Sequence, residues 1–364
     1  MATIAHCDPI APRHHLPATP EEALAALDTV REQTLGLVGH LREEELSSVL
    51  SPIMSPLVWD LAHIAAYEDL WLAHRHGGLD LSRPDLAEVY DAFETPRMVR
   101  GEIELLGPRD ARTYMEQVRA RSAKALARRG VGDGTIYELV LRHELQHTET
   151  MRQTMALAGL LPAGEPRLGT HGGESTNAGA TQTEDREGIW IEVPSGPFEM
   201  GAGPEGFAYD NERPRHTVDV PAFEIARRPV TNAEWTRVHG AARSADDPDA
   251  TVCHVNWFEA DEFAKASGAR LPTEAEWEKA ATAGLLSGVG EVWEWTSTHF
   301  DGYPGFVAHP YREYSEVFFG EDYRVLRGGS WATSSRVRTL TFRNWDLPIR
   351  SQIFAGVRLA RDVS

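Results

Sequence analysis

The sequence predicts an α+β protein of two domains, an N-terminal four-helix bundle followed by a C-terminal domain of short strands and helices. Three observations predict it. Residues 19–161 carry apolar side chains at helical spacing. Residues 162–188 are rich in Gly, Thr and Glu, a linker composition. Beyond them, short β-rich runs alternate with Gly/Pro turns and tryptophan becomes frequent. We place the bundle at 16–161, the linker at 162–188 and the second domain at 189–364. The length accommodates about two to three domains, so neither core needs a disulfide or structural metal on grounds of size.

The elements follow in order. Thr19-Pro20 is a helix start, and Glu21 to Leu27 continue it. Leu57, Leu61, Ile64 and Tyr67 recur at three- and four-residue steps. Pro108-Arg109-Asp110 opens a helix to about Arg129, where Gly130 and Gly132 end it. Ile136, Leu139, Val140, His143 and His147 mark the fourth long helix. In the second half, IWIEV (189–193) and HTVDVPAFEIA (216–226) read as strand-forming. Two short helices are expected, at 232–238 and 257–267, and no internal repeat is visible.

Composition excludes several classes of function. Lys+Arg is 36 against 55 Asp+Glu, a formal net charge of −19. Such a chain repels nucleic acid and anionic lipid unless it hides a basic patch. The two cysteines, Cys7 and Cys253, are too few for a disulfide framework or a zinc site built on paired cysteines. That usage suits a reducing cytoplasm. The first 15 residues have no basic region followed by an apolar stretch, so no signal peptide is expected. No apolar window of about 18 residues occurs, so no membrane span is expected. The expectation is a cytoplasmic monomer acting on small molecules.

The strongest local signal is His143-Glu144-Leu145-Gln146-His147. Histidines at i and i+4 share a helix face and can hold one metal. The letters also fit a zinc protease with Glu144 as base. That reading needs a third ligand downstream, and His171, in the linker, is a poor one. Two surface histidines on an acidic protein remain the alternative. A third histidine enters from another helix: His63, in VWDLAHIAAYEDLW, shares a face with Trp59 and Tyr67 and is expected to point inward. Alone it reads as a core histidine. With His143 and His147 it would make a three-nitrogen face suited to Fe(II), with zinc also possible.

The second half carries a motif series: PVTNAEW (229–235), VNWFEADEFAKASGARLPTEAEWEKAA (255–281), GEVWEWT (290–296), VLRGGSW (325–331) and FRNWDLPIR (342–350). Most of these residues read as packing and ion-pair anchors, Trp277, Trp293 and Trp295 above all. As a series they resemble the formylglycine-generating-enzyme-like domain, a variant of the C-type-lectin-like fold. The helical half resembles the DinB-like bundle. MSPLVWDLAHIAAYEDLWL (54–72), YDAF (90–93) before Arg97, and RNWDLPIR together resemble the iron(II)-dependent sulfoxide synthases of ergothioneine biosynthesis. The resemblance covers nearly the whole chain beyond the first dozen or so residues.

That resemblance implies an Fe(II) enzyme using O₂. It would join the sulfur of γ-glutamylcysteine to the imidazole C2 of Nα-trimethylhistidine (hercynine), giving a sulfoxide. By the same resemblance, His63, His143 and His147 match the iron ligands, and Gln146, Asn344 and Trp345 the trimethylhistidine contacts. Asp346 and Arg350 match groups holding γ-glutamylcysteine, with Arg97 as the third and Arg100 as its rival. Tyr311 matches the catalytic tyrosine and Tyr314 its neighbour. The chemistry suits these types. Arginine forks pair with carboxylates, Asp346 with an ammonium, and an aromatic face with a quaternary ammonium. A phenol can deliver a proton. The site is expected to draw on both domains.

The chain departs from the family in two places. It is short between Trp235 and Val255 and shorter still between Ala281 and Gly290, where relatives carry long loops. Three alternatives stand beside the main reading. They are a synthase using another thiol or a selenium donor, a DinB-like metal-dependent thiol transferase, and a binding module on a lectin-like scaffold. Formylglycine generation is disfavoured because it uses a cysteine pair late in the domain, and no cysteine follows Cys253.

Overall fold

The computed structural model describes residues 16–165, 190–240 and 247–363. They form two compact units, 16–165 and 190–363. Most of the expected linker lies outside the described residues, as do His171 and Cys7.

In the N-terminal unit, α1 (Pro20–Leu37) begins where the sequence places it. The Thr19 hydroxyl accepts the Glu22 N–H at 3.2 Å, and Pro20 takes the first position, where no N–H is needed. A short helix, α2 (Glu43–Ser47), was not expected. α3 (Leu57–Glu68) is buried on almost every face and runs on as a π-helical stretch, Asp69–His76. α4 (Pro108–Arg129) stops at Gly130, whose φ of +68° favours glycine. α5 (Thr135–Ala158) carries the paired histidines.

The helix α3 packs against α4 and α5, and α1 against both of them. Leu57, Val58, Leu61 and Ile64 meet Met115, Val118, Met151 and Met155 in the core. One charged residue from each long helix meets the others in a buried cluster. Arg31 pairs with Glu68 at 2.7 Å and with Glu144 at 2.9 Å, and Arg119 pairs with Glu68 at 2.9 Å.

The C-terminal unit contains β1 (Trp190–Val193), β2 (Gly196–Met200), β3 (His216–Val220), β4 (Phe223–Ala226), β5 (Trp293–Phe300), β6 (Gly320–Arg327), β7 (Asn344–Asp346), β8 (Ala355–Gly356) and β9 (Ala360–Asp362). Among the described residues three sheets result, ordered β1-β4-β9, β2-β3 and β7-β6-β5-β8. All pairings are antiparallel except β5 with β8. The run 216–226 divides after Val220 into strands of different sheets, because Pro221 has no N–H to continue a ladder.

Among the described residues three α-helices form where two were expected: α6 (Asn232–His239), α7 (Trp257–Ala266) and α8 (Glu274–Thr282). A Thr273/Glu276 capping box starts the third, inside the motif LPTEAEWEKAA. The tryptophans read as structural are so. Trp277 donates to Glu294 at 2.6 Å and Trp295 to the Val255 carbonyl at 2.8 Å, and both are fully buried. Trp293 is buried beside them on β5. No helix among the described residues is long and apolar enough to cross a membrane.

Candidate metal centre

α3 supplies His63, and α5 supplies His143 and His147 one turn apart. One nitrogen from each lies within 4.8 Å of the other two. His63 Nε2 is 3.1 Å from His143 Nε2. His63 Nδ1 donates to the Tyr90 carbonyl at 2.6 Å, so its Nε2 carries a lone pair. His147 Nδ1 donates to Asp60 Oδ1 at 2.9 Å, which leaves its Nε2 for the site. Among the described residues, His143 Nδ1 is buried without a hydrogen-bond partner. Trp59 stacks on the His63 ring at 4.5 Å, and Tyr67 on the His143 ring at 3.7 Å.

This environment favours neutral imidazoles. Burial, followed by the neighbouring His147, holds His63 down to about 3. Burial, then Arg100 and Arg97, holds His147 down to about 3, and burial takes His143 well below its ordinary value. Neutral imidazole is the form that ligates metal. A metal–nitrogen bond of about 2.1 Å lets two nitrogens 3.1 Å apart share one ion. Three neutral imidazoles, two of them with Nε2 left as the lone-pair nitrogen by a bond at Nδ1, fit a divalent borderline cation and leave coordination positions open.

Glu144 turns away from this centre. Its carboxylate accepts from Arg31 Nε at 2.9 Å and from Thr34 Oγ1 at 2.7 Å, inside the bundle's charge cluster. The protease reading of H-E-x-x-H therefore fails on geometry, since the required base sits on another helix face. A contributor that sequence reasoning missed is Asp60. Burial raises its carboxyl to about 7, against the pull of Arg100, His63 and Arg97. Its signal was visible: a lone carboxylate in the apolar run SPLVWDLAHIAA, three residues before His63.

The two candidate arginines differ sharply. Arg100 is buried, stacks on Trp59 at 3.5 Å, and donates to the Thr95 carbonyl at 2.9 Å and Ser55 Oγ at 2.7 Å. Arg97 is exposed on a 3-10 turn, yet its charge acts on both Asp60 and His147. Gln146 is half-buried on α5, next to His147.

Within the C-terminal unit, Asn344, Trp345 and Asp346 form β7. Trp345 stacks on Phe300 at 4.2 Å and meets the Tyr314 ring edge-on at 5.9 Å. Arg350 is buried with Nη1 3.6 Å from Asp346 Oδ2. Tyr311 is half-buried, its ring 6.1 Å from that of Tyr314.

A helical bundle converging three histidines on one point, followed in the chain by an α+β unit, defines a two-domain α+β protein with a three-histidine site able to hold a metal. Residues 26–151 match the DinB superfamily, and residues 175–289 and 282–363 match the Sulfatase-modifying factor enzyme 1-like domain. The two matched segments overlap at 282–289, the turn that follows α8. The Hercynine oxygenase of Mycobacterium tuberculosis is 37% identical over 95% of this chain and 100% of its own length. That of Mycolicibacterium smegmatis is 38% identical over 93% of this chain and 98% of its own. A Formylglycine-generating enzyme of Streptomyces coelicolor is 32% identical but covers 26% of this chain and 47% of its own length. Among solved structures, that of PvdO from Pseudomonas aeruginosa covers 48% of this chain and 94% of its own, at 19% identity and TM-score 0.40. The chain belongs to the hercynine oxygenase family.

Proposed function

We propose that the protein is an iron(II)- and O₂-dependent sulfoxide synthase that couples γ-glutamylcysteine to hercynine. The observation that carries this reading is the convergence of one buried and two half-buried histidines in a chain that is 37% identical to a hercynine oxygenase over 95% of its residues. The reaction balances. The imidazole C2–H and the thiol S–H are lost, a C–S bond forms, one oxygen atom goes to sulfur, and the other leaves as water. Iron(II) held by His63, His143 and His147 would supply the point at which O₂ and the two substrates meet.

The chain's own residues take the remaining roles. Asp60 and the Tyr90 carbonyl fix the His147 and His63 tautomers and keep both Nε2 atoms as donors of a lone pair. Trp345 offers its face to the trimethylammonium group, and Gln146 and Asn344 hold the polar end of hercynine. Arg97 and Arg350 pair with the two carboxylates of the dipeptide, and Asp346 with its ammonium. Arg97 takes this role over Arg100 because the Arg100 guanidinium is already engaged by Thr95 and Ser55. The Tyr311 hydroxyl delivers a proton to reduced oxygen while the C–S bond forms.

Competition between thiols tests the reading. The protein, loaded with Fe(II) without air and then given O₂, hercynine and equal γ-glutamylcysteine and cysteine, should yield mainly the γ-glutamyl sulfoxide. Mainly the cysteine conjugate would reassign the sulfur donor, and no conjugate from either would refute C–S bond formation.

A further inference from the structure

The 209–212 turn touches both segments that carry the proposed substrate and tyrosine groups of the C-terminal unit. Asp210 reaches one of them. Its Oδ1 accepts from the Ser315 hydroxyl, and its Oδ2 accepts the His309 N–H at 3.2 Å. These two donors bracket Tyr311 and Tyr314. Tyr209 supports the same loop by stacking on Tyr314, centroid to centroid 4.7 Å and within 4° of parallel.

The following two residues reach the other segment. The Asn211 carbonyl accepts from Arg343 at 2.8 Å, and Glu212 accepts from the Thr341 hydroxyl at 2.6 Å. Arg343 and Thr341 lead directly into β7, which carries Asn344, Trp345 and Asp346. Asp210, Asn211, Glu212 and Ser315 are all buried, so these contacts are shielded from competing water.

We infer that the 209–212 turn is a brace that sets the Tyr311 loop against Trp345, with Asp210 as its positioning residue. The two sides it joins already meet edge-on, through Tyr314 and Trp345. A single carboxylate suits this task because its two oxygens accept from two separate points of one loop. The Asn211 N–H also donates to Asp210 Oδ1, at 2.7 Å, which fixes the carboxylate's direction from its own chain.

The catalytic consequence rests on the proposed role of Tyr311, and the test separates the two. Asp210→Asn keeps the volume but replaces one acceptor oxygen with a donor, so a loop N–H or hydroxyl loses its partner. Ser315→Ala removes one contact and leaves Asp210 in place. Amide hydrogen exchange across 305–319 should quicken roughly tenfold or more in either variant, since a hydrogen bond to a charged group is lost. With Fe(II), O₂ and both substrates, the same variants should divert part of the product from sulfoxide to thiol sulfinate while metal uptake stays unchanged. Unchanged exchange in both variants overturns the brace. Quickened exchange with an unchanged product ratio overturns the positioning role. Wild-type protein that makes no sulfoxide refutes the reading of Tyr311 and leaves the brace to the exchange result alone.

Discussion

His63 Nε2 and His143 Nε2 stand 3.1 Å apart although 80 positions separate them in the chain. Both nitrogens face the same point, and His63 has already spent its proton-bearing nitrogen on the Tyr90 carbonyl. Each ring is also held from behind, by Trp59 and Tyr67 respectively. The pair is a site prepared for a cation.

The wild-type protein should therefore gain stability with a divalent metal. At about 100 times its Kd, one bound ion adds about 2.7 kcal/mol. Thermal melts with Fe(II) under nitrogen, or with Zn(II) in air, should rise in Tm for wild type and stay flat for His63→Ala. An equal rise in His63→Ala would show that the metal binds elsewhere.

Asp60→Asn tests the carboxylate behind His147. Above about pH 7, where the Asp60 carboxyl is ionised, the amide oxygen still accepts from Nδ1, so the ring stays in place, but the negative charge is gone. Metal affinity should fall roughly 10–100-fold. Competition against a chelator reads this directly, and an unchanged Kd would reduce Asp60 to packing.

Glu144→Gln should damage stability rather than chemistry. It breaks the buried pair with Arg31, and removing one partner of such a pair costs roughly 3–5 kcal/mol. Protein that remains folded in the cold should still take up metal. A variant of normal Tm that has lost all activity would restore Glu144 as a candidate base.

Arg97→Ala and Arg100→Ala should separate cleanly. Losing a charge-assisted contact to substrate should raise the KM for γ-glutamylcysteine roughly 10–100-fold in Arg97→Ala, with Tm unchanged. Arg100→Ala should lower Tm instead, because it uncovers Trp59 and abandons two buried partners. The reverse pattern would exchange their roles.

Tyr311→Phe removes a hydroxyl and keeps the ring. Sulfoxide formation should fall by about 10²–10⁴-fold, with O₂ diverted to thiol sulfinate. Tyr314→Phe should change the product ratio much less, since that ring is wedged between Tyr209 and Trp345. Product analysis of both variants decides which tyrosine acts, and the larger diversion in Tyr314→Phe would reverse the assignment.

Much of the architecture was legible because the bundle's signals are local. Thr19-Pro20, Pro108 and Gly130 are caps whose physics acts within one turn, and they mark helix ends at those residues. α8 escaped because its capping box lies inside a motif read for its tryptophan. The division of 216–226 depends on which sheet each half joins, which is long-range information. In the metal centre, the i,i+4 pair on α5 was visible, and His63 was visible as an inward histidine. The direction of Glu144 was not, since two adjacent residues of one helix differ by about 100° and only the bundle decides which face meets which helix. Asp60 lacked a sequence partner for the same reason: His147 lies 87 positions away.

The most direct test of the central claim follows the fate of one O₂ molecule. Protein loaded with Fe(II), supplied with hercynine, γ-glutamylcysteine and ¹⁸O₂, should yield a C–S-bonded sulfoxide carrying one heavy oxygen, with one O₂ consumed per product. His63→Ala should yield none. Thiol oxidation without any C–S product in the wild-type protein, or equal yield from His63→Ala, would contradict the account.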